Sequence, residues 1–181
     1  MKSRVWHAFG TILFHAAVNA KNKHEYWRHA TRTAQASTGG TLQILDAAQP
    51  AWLTYTPPET SNHILWHAGH ALWLQDVLCV RLLVGRGELP AGWEERFGAN
   101  FQPLNQTENW PTRDELGELL RGQSHRVIEL LAGTSDEQLV QPAEPDRGTA
   151  ALSDRIIHGL HDEAKHSGEM YLIPKLCRAN D

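Results

Sequence analysis

The sequence predicts an all-α fold, and three observations support this prediction. Apolar residues recur at helical spacing along most of the chain, no long stretch alternates apolar and polar residues as a strand does, and the apolar stripes are separated by proline, glycine or capping residues. The 181 residues, of which 41% are hydrophobic, suffice for one well-buried domain. We expect four main helices preceded by an N-terminal one.

The first predicted helix covers residues 3–20 and the second covers residues 24–48. The apolar stripe of the first helix consists of Val5, Phe9, Ile12, Leu13 and Ala16. The second helix contains Gly39 and Gly40, which weaken a helix and are expected to kink or split it. Pro50 follows and ends the second helix.

The third predicted helix runs from about residue 62 to residue 83, and Ser61 is its expected N-cap. It is apolar on almost every side, so it should be the most buried helix. His63, His67 and His70 lie at positions i, i+4 and i+7 and share one stripe, so they should face the core. That stripe continues through Leu74, Val77 and Leu78.

Residues 86–111 look irregular apart from one helical turn at residues 92–98. A segment of this length within a compact domain is usually functional or packed by its own side chains. The fourth helix opens with a capping box at residues 112–115 and is closed by Gly133.

The last predicted helix covers residues 153–173, and Pro174 should kink or end it. Asp162 and His166 lie four residues apart on its apolar face, where a buried carboxylate and a buried imidazole both need partners. A metal ion suits both groups, because the i,i+4 spacing places them on one side of the helix. Together with the histidines of the third helix, they predict a shared metal site between two helices. The alternative is a hydrogen-bonded cluster without a metal.

Three motifs carry a resemblance to a known family. They are Trp66-His67-Ala68-Gly69-His70 followed by Gln75-Asp76, the loop at residues 89–98, and His166-Ser167-Gly168-Glu169. In this order they resemble the DinB-like metalloprotein superfamily over about residues 24–178. The resemblance implies a DinB-like four-helix bundle over residues 24–181, with residues 1–23 as an N-terminal helical extension, and a homodimer.

The resemblance also implies a divalent metal held by three histidines, one from the second bundle helix and two from the fourth. His70 and His166 match two of these positions, but Asp162 occupies the third. The site then contains two histidines and one aspartate, binds metal weakly, or is distorted so that the neighbouring His161 takes part. Two histidines and a carboxylate leave coordination positions open, and Zn²⁺, Ni²⁺, Fe²⁺ and Mn²⁺ all suit such a set.

The leading functional hypothesis is a metal-dependent enzyme that activates water or a low-molecular-weight thiol toward a small-molecule substrate, as a hydrolase or a thiol-dependent transferase. Glu163 is a general base on metal-bound water, a solvated charge or a partner of Arg155. The residues expected to line the pocket or support the ligands are His63, His67, Trp66, Trp93 and Arg155. The alternative is a non-catalytic DinB-like binding or stress-response module, in which Asp162 marks a degenerate metal site.

Composition and charge argue against several other partners. The net charge of −4 and the isoelectric point near 6.2 give no electrostatic case for nucleic acid or for an anionic membrane. Cys79 and Cys177 form no disulfide framework and no C-x-x-C motif, so we expect inert thiols and a cytoplasmic location.

Overall fold

The computed structural model describes residues 20–58, 60–99, 109–144, 146 and 148–179, and it confirms the all-α prediction. Its helices are α1 (Ala20–Ala47), α2 (Pro50–Leu53), α3 (Ile64–Gln75), α4 (Arg81–Val84), α5 (Trp93–Phe97), α6 (Arg113–Gly133), α7 (Asp136–Leu139) and α8 (Leu152–Ala179). Extended pairing within these ranges is limited to one bridge between Pro142 and Ala151, and no helix there is long and apolar enough to cross a membrane. The predicted helix at residues 3–20 lies outside the described residues, apart from Ala20.

Four helices form the bundle: α1, α3 with its continuation into α4, α6, and α8. Helix α8 packs against α1 and α3, and α6 packs against the same two helices from another side. One apolar cluster fills the end near α2 and α5, and its members include Trp52, Leu72, Phe97 and Met170. A second cluster fills the opposite end, and its members include Ala34, Val127 and Ile156. The four-helix bundle expected from the sequence is therefore confirmed.

Helix α1 runs unbroken through Gly39 and Gly40, so the expected split at this point is not found. A Cβ atom on Gly40 would lie 3.5 Å from the Ser167 hydroxyl oxygen, which places α1 close to α8. Thr38 and Thr41 on either side are buried in the same region. Packing along α1 therefore outweighs the unfavourable helix propensity of two glycines, which is about 1 kcal/mol each.

The histidine-rich helix α3 begins two residues later than expected, because His63 rather than Ser61 is its N-cap. The Nδ1 atom of His63 accepts a hydrogen bond from the backbone N–H of Trp66 at 3.1 Å. The helical path continues beyond Gln75 into α4, and Gly85, with a φ of 81°, ends it. The positive φ favours glycine at this position.

A five-residue π-helical turn, Asp76–Val80, joins α3 to α4. A π-helical turn contains more residues than an α-helical turn, so the face that points inward changes across it. Val77 is only partly buried, whereas Cys79 and Val80 are fully buried. Of the residues predicted to continue the stripe, Leu78 is therefore buried, whereas Leu74 and Val77 are only partly buried.

The later helices begin where the sequence predicts, but the last helix extends further than predicted. The single helical turn at α5 and the capping box at residues 112–115 are confirmed. Helix α8 does not end at Pro174 but continues to Ala179. Ile173 and Cys177 remain buried on the two sides of the proline, and their packing offsets the hydrogen bond that Pro174 cannot donate.

A close contact between α3 and α5 generates a test of the packing. A Cβ atom on Gly69 would overlap the ring of Phe97. Gly69→Ala is therefore expected to lower the free energy of unfolding by about 1–3 kcal/mol, the usual cost of overpacking a core. Denaturant unfolding of the purified protein measures the change.

The matched control is Gly122→Ala in α6, where a new Cβ atom meets nothing within 4 Å. This substitution should raise the free energy of unfolding by up to about 1 kcal/mol through helix propensity. Changes of the same sign and size in the two variants would contradict the close contact at Gly69.

Candidate metal centre

His70 is held in place by backbone on one side and by an indole ring on another. Its Nδ1–H donates to the backbone carbonyl of Phe97 at 2.6 Å, which leaves the lone pair on Nε2. The ring of Trp66 stacks on the imidazole, with centroids 4.6 Å apart and an interplanar angle of 16°. This arrangement of a hydrogen bond at one ring nitrogen and a free lone pair at the other is typical of histidines that bind metal ions.

Asp162 and His166 lie one turn apart on α8, facing His70. The Oδ2 atom of Asp162 is 3.0 Å from His166 Nε2 and 3.9 Å from His70 Nε2. One ligand atom from each of the three residues lies within 4.8 Å of the others. The structure thus brings together the three residues predicted as ligands, and their binding of a metal stays a prediction. His161 is exposed, so the alternative in which it turns inward is not adopted.

The Oδ2 atom of Asp162 is buried and has no hydrogen bond of acceptable geometry, despite its short distance to His166. A buried carboxylate oxygen without a hydrogen-bond donor is costly. A cation placed among the three side chains would satisfy this atom, so the donor set fits a metal ion.

Burial and neighbouring charges set the protonation states of the three residues. Burial lowers the pKa of His70, although the contact with the Phe97 carbonyl opposes this effect. Burial also disfavours the charged forms of Asp162 and His166, but their contact with each other and with nearby charges outweighs it. The pKa of Asp162 is therefore lowered and the pKa of His166 is raised. Near neutral pH, His70 is uncharged and Asp162 is ionised, as metal binding requires, whereas the raised pKa of His166 favours a proton that a metal ion would have to displace.

A second cluster uses the other nitrogen of the same histidine. His166 Nδ1 lies 2.9 Å from His67 Nδ1 and 3.3 Å from Glu169 Oε2, and His67 Nδ1 lies 3.0 Å from Glu169 Oε2. Burial lowers the pKa of His67 to about 4, so its ring is neutral near pH 7. From the sequence, His67 is expected only as a supporting residue, and Glu169 is expected only as part of the motif that begins at His166. The i,i+3 spacing of His166 and Glu169 was the available signal.

Glu163 is buried where α8 packs against α1 and α3, rather than exposed to solvent. Its side chain is 1% exposed, and Oε2 accepts hydrogen bonds from Thr38 Oγ1 at 3.0 Å and Gln75 Nε2 at 2.6 Å. The prediction that Glu163 is a solvated charge is therefore wrong. The predicted pair with Arg155 is also wrong, because the Arg155 guanidinium lies 3.6 Å from Glu144 instead. The role of Glu163 as a general base stays a prediction, and its oxygen Oε2 is already occupied by two donors.

The remaining pocket residues lie at different distances from the three predicted ligands. Trp66 contacts His70 directly, and Trp93 supports α3 from behind through a 3.0 Å hydrogen bond from its Nε1 to the Gly69 carbonyl. His63 caps α3, and its ring forms a T-shaped contact with the ring of Trp110, with ring centroids 4.5 Å apart. Arg155 precedes Asp162 by about two turns on α8, which is roughly 10 Å along the helix axis.

The fold and the site define a class of protein: a helical bundle with a candidate metal centre between two of its helices. A sequence profile described as the DinB superfamily matches residues 34–170, which is most of the chain. The chain therefore belongs to the DinB superfamily, as its motifs predicted.

A solved structure supports the fold. The chain is similar to a crystal structure described as a conserved protein of a locus from Enterococcus faecalis, with 18% sequence identity and a TM-score of 0.58. The match covers 82% of this chain and 95% of that one. At this level of identity the similarity shows the fold alone. No curated protein matches the chain.

The buried environment of Glu163 generates a pH prediction. Burial raises its pKa to about 7, although the hydrogen bonds from Thr38 and Gln75 oppose the shift. The folded chain therefore holds this proton more tightly than the unfolded chain does. The resulting stability is fully present below the unfolded pKa, about 4.3, and is lost as the pH rises through 7.

Glu163→Gln should remove this contribution, since an amide does not titrate. Between pH 5 and 8, the unfolding free energy of wild type should fall relative to that of the variant, by up to about 3 kcal/mol. Urea unfolding of chelator-treated protein at several pH values measures the difference. Glu118→Gln, on the exposed face of α6, is the control and should follow wild type. Parallel pH profiles for wild type and Glu163→Gln would contradict the prediction.

Proposed function

We propose that the chain binds a divalent metal ion through His70 Nε2, a carboxylate oxygen of Asp162 and His166 Nε2, and that it acts as a metal-dependent enzyme on a small molecule. The observation that carries the proposal is the convergence of these three ligand atoms within 4.8 Å, around a buried carboxylate oxygen that lacks a hydrogen-bond donor. The ligands come from α3 and α8, the pair of helices that packs together most extensively.

The donor set favours a catalytic over a purely structural centre. Structural zinc sites are usually closed by four protein ligands, whereas three protein ligands leave a position open. Two imidazoles and a carboxylate suit Zn²⁺, Ni²⁺, Fe²⁺ and Mn²⁺. A bound divalent ion would supply Lewis acidity that lowers the pKa of a water molecule or a thiol.

The chain's own thiols do not suit the role of nucleophile. Cys79 and Cys177 are both buried, and neither is in a disulfide bond. Burial raises the pKa of Cys79 to about 12, with Glu163 and Asp76 adding to the shift. Only the thiolate is nucleophilic, so a thiol used in the reaction would come from a separate low-molecular-weight cofactor. The proposed reaction is thus a thiol transfer to an electrophile or the hydrolysis of a small substrate.

A second function has one observation in its favour, which is that Asp162 stands where the family pattern has a histidine. In this candidate the bundle is a non-catalytic binding module whose metal site has degenerated. The homodimer and the cytoplasmic location implied by the resemblance and the composition belong to both proposals. Sedimentation analysis of the full chain tests the homodimer.

We expect about one metal ion per chain at this centre, and its binding should require both Asp162 and His166. Protein purified without chelator or a metal-affinity column is compared with Asp162→Ala, His166→Ala and the exposed control His161→Ala. Elemental analysis should find the metal of this centre in wild type and His161→Ala, and a loss in the other two variants. If wild-type protein contains no metal and does not bind added Zn²⁺ or Ni²⁺ tightly, the proposal is contradicted and the non-catalytic module is the remaining candidate.

A further inference from the structure

His166 is unusual in that both of its ring nitrogens face groups able to bind a cation. Nε2 faces Asp162 and His70, which form the centre described above. Nδ1 faces His67 and Glu169, which come from α3 and from the next turn of α8. The imidazole therefore lies between two sets of ligand atoms, one on each edge of the ring.

The three contacts within the second set cannot all be hydrogen bonds. They form a triangle with sides of 2.9, 3.0 and 3.3 Å, made by His67 Nδ1, His166 Nδ1 and Glu169 Oε2. Each ring nitrogen carries at most one hydrogen, which lies in the ring plane, and an ionised carboxylate carries none. At most two of the three sides can be hydrogen bonds, so the remaining side brings together either two acceptors or two N–H groups.

The triangle has the dimensions and chemistry of a metal site. Ligand atoms about 2.0–2.2 Å from a tetrahedral zinc ion are about 3.3 Å from one another. Two imidazoles and a carboxylate are a borderline-soft donor set that favours Zn²⁺ or Cu²⁺ over Mg²⁺ or Ca²⁺. The side chain of His67 is 2% exposed and that of Glu169 is 44% exposed, so the set is anchored in the core and open to solvent at one corner.

We propose that His67 Nδ1, His166 Nδ1 and Glu169 Oε2 form a second divalent-cation site, joined to the first through the ring of His166. The link to the first site rests on the proposed function, whereas the second set of ligands stands on its own geometry. When both sites are filled, the shared imidazole has lost both ring protons, one from each nitrogen. Filling the second site therefore releases to solvent the last proton that the His166 ring still carries.

The competing arrangement contains no metal at all. In it His166 is an imidazolium ion that donates from Nε2 to Asp162 and from Nδ1 to Glu169. In this arrangement His67 Nδ1 either donates to Glu169, which places two N–H groups 2.9 Å apart, or directs its lone pair at the Glu169 carboxylate. The contact of His166 with Asp162 Oδ2 also lacks hydrogen-bond geometry. The metal titration below separates the two arrangements.

The test counts Zn²⁺ retained after chelator treatment, reloading and exhaustive dialysis of the full chain. Wild type and the exposed control His161→Ala should retain two ions per chain. Glu169→Gln and His67→Asn should each retain one, and Asp162→Ala should also retain one. Circular dichroism of the metal-free proteins confirms that each variant is folded. Glu169→Gln is the key variant, since it keeps the shape of a partly exposed side chain.

The same proteins loaded with Cu²⁺ provide a second measurement. Two copper ions joined by one deprotonated imidazole are magnetically coupled, so the electron paramagnetic resonance signal of wild type should be much weaker than its copper content requires. In Glu169→Gln the single ion should give the full signal of an isolated copper site. If wild type with two copper ions gives the full signal of two isolated copper sites, the proposal that the His166 ring joins the two sites is wrong.

The outcomes for the two sites are distinguishable. One ion in wild type that is lost in Asp162→Ala and kept in Glu169→Gln would overturn the second site and leave the proposed function intact. One ion that is kept in Asp162→Ala and lost in Glu169→Gln would support the second set of ligands and overturn the proposed function. No retained ion in wild type would overturn both.

Discussion

The interface between α3 and α8 buries more ionisable groups than a helical core normally contains, and each needs a partner there. His67 and His70 enter it from α3, and Glu163 and His166 enter it from α8. Burying a charged or polar group without compensation costs several kcal/mol, so these groups determine where the two helices can lie relative to each other. The hydrogen bonds of Glu163 fix one part of the interface, and the histidine clusters occupy another.

The supporting structure of the centre comes from α5, which packs against α3. The glycine at position 69 lets the ring of Phe97 reach the α3 backbone, and the indole of Trp93 bonds to the Gly69 carbonyl. The carbonyl of Phe97 in turn fixes the tautomer of His70. The short helix α5 therefore determines which nitrogen of His70 faces the site. Groups that hydrogen-bond to metal ligands from behind generally have this effect.

Helical spacing was sufficient to predict the helices and to place Asp162, His166 and the three histidines of α3 on inward faces, because it determines which side chains share a face. The choice of His70 among those histidines came from the resemblance to the superfamily. Helical spacing was not sufficient where tertiary contacts decide. The partner of Glu163 on α1, Thr38, is 125 residues away, and no spacing rule connects them. The contact of His67 with Glu169 depends on the orientation of two rings. The continuity of α1 through its two glycines and of α8 through Pro174 likewise depends on packing rather than on local propensity.

The π-helical turn at Asp76–Val80 has a consequence for comparisons between members of the superfamily. It amounts to a one-residue insertion in the helix, which shifts the phase of every later position by about 100°. The histidines of α3 and the apolar residues of α4 are thus on two separate helical registers within one continuous helix. A relative that lacks the turn will match this chain before it or after it, but a gapless alignment will not place both segments on the correct face.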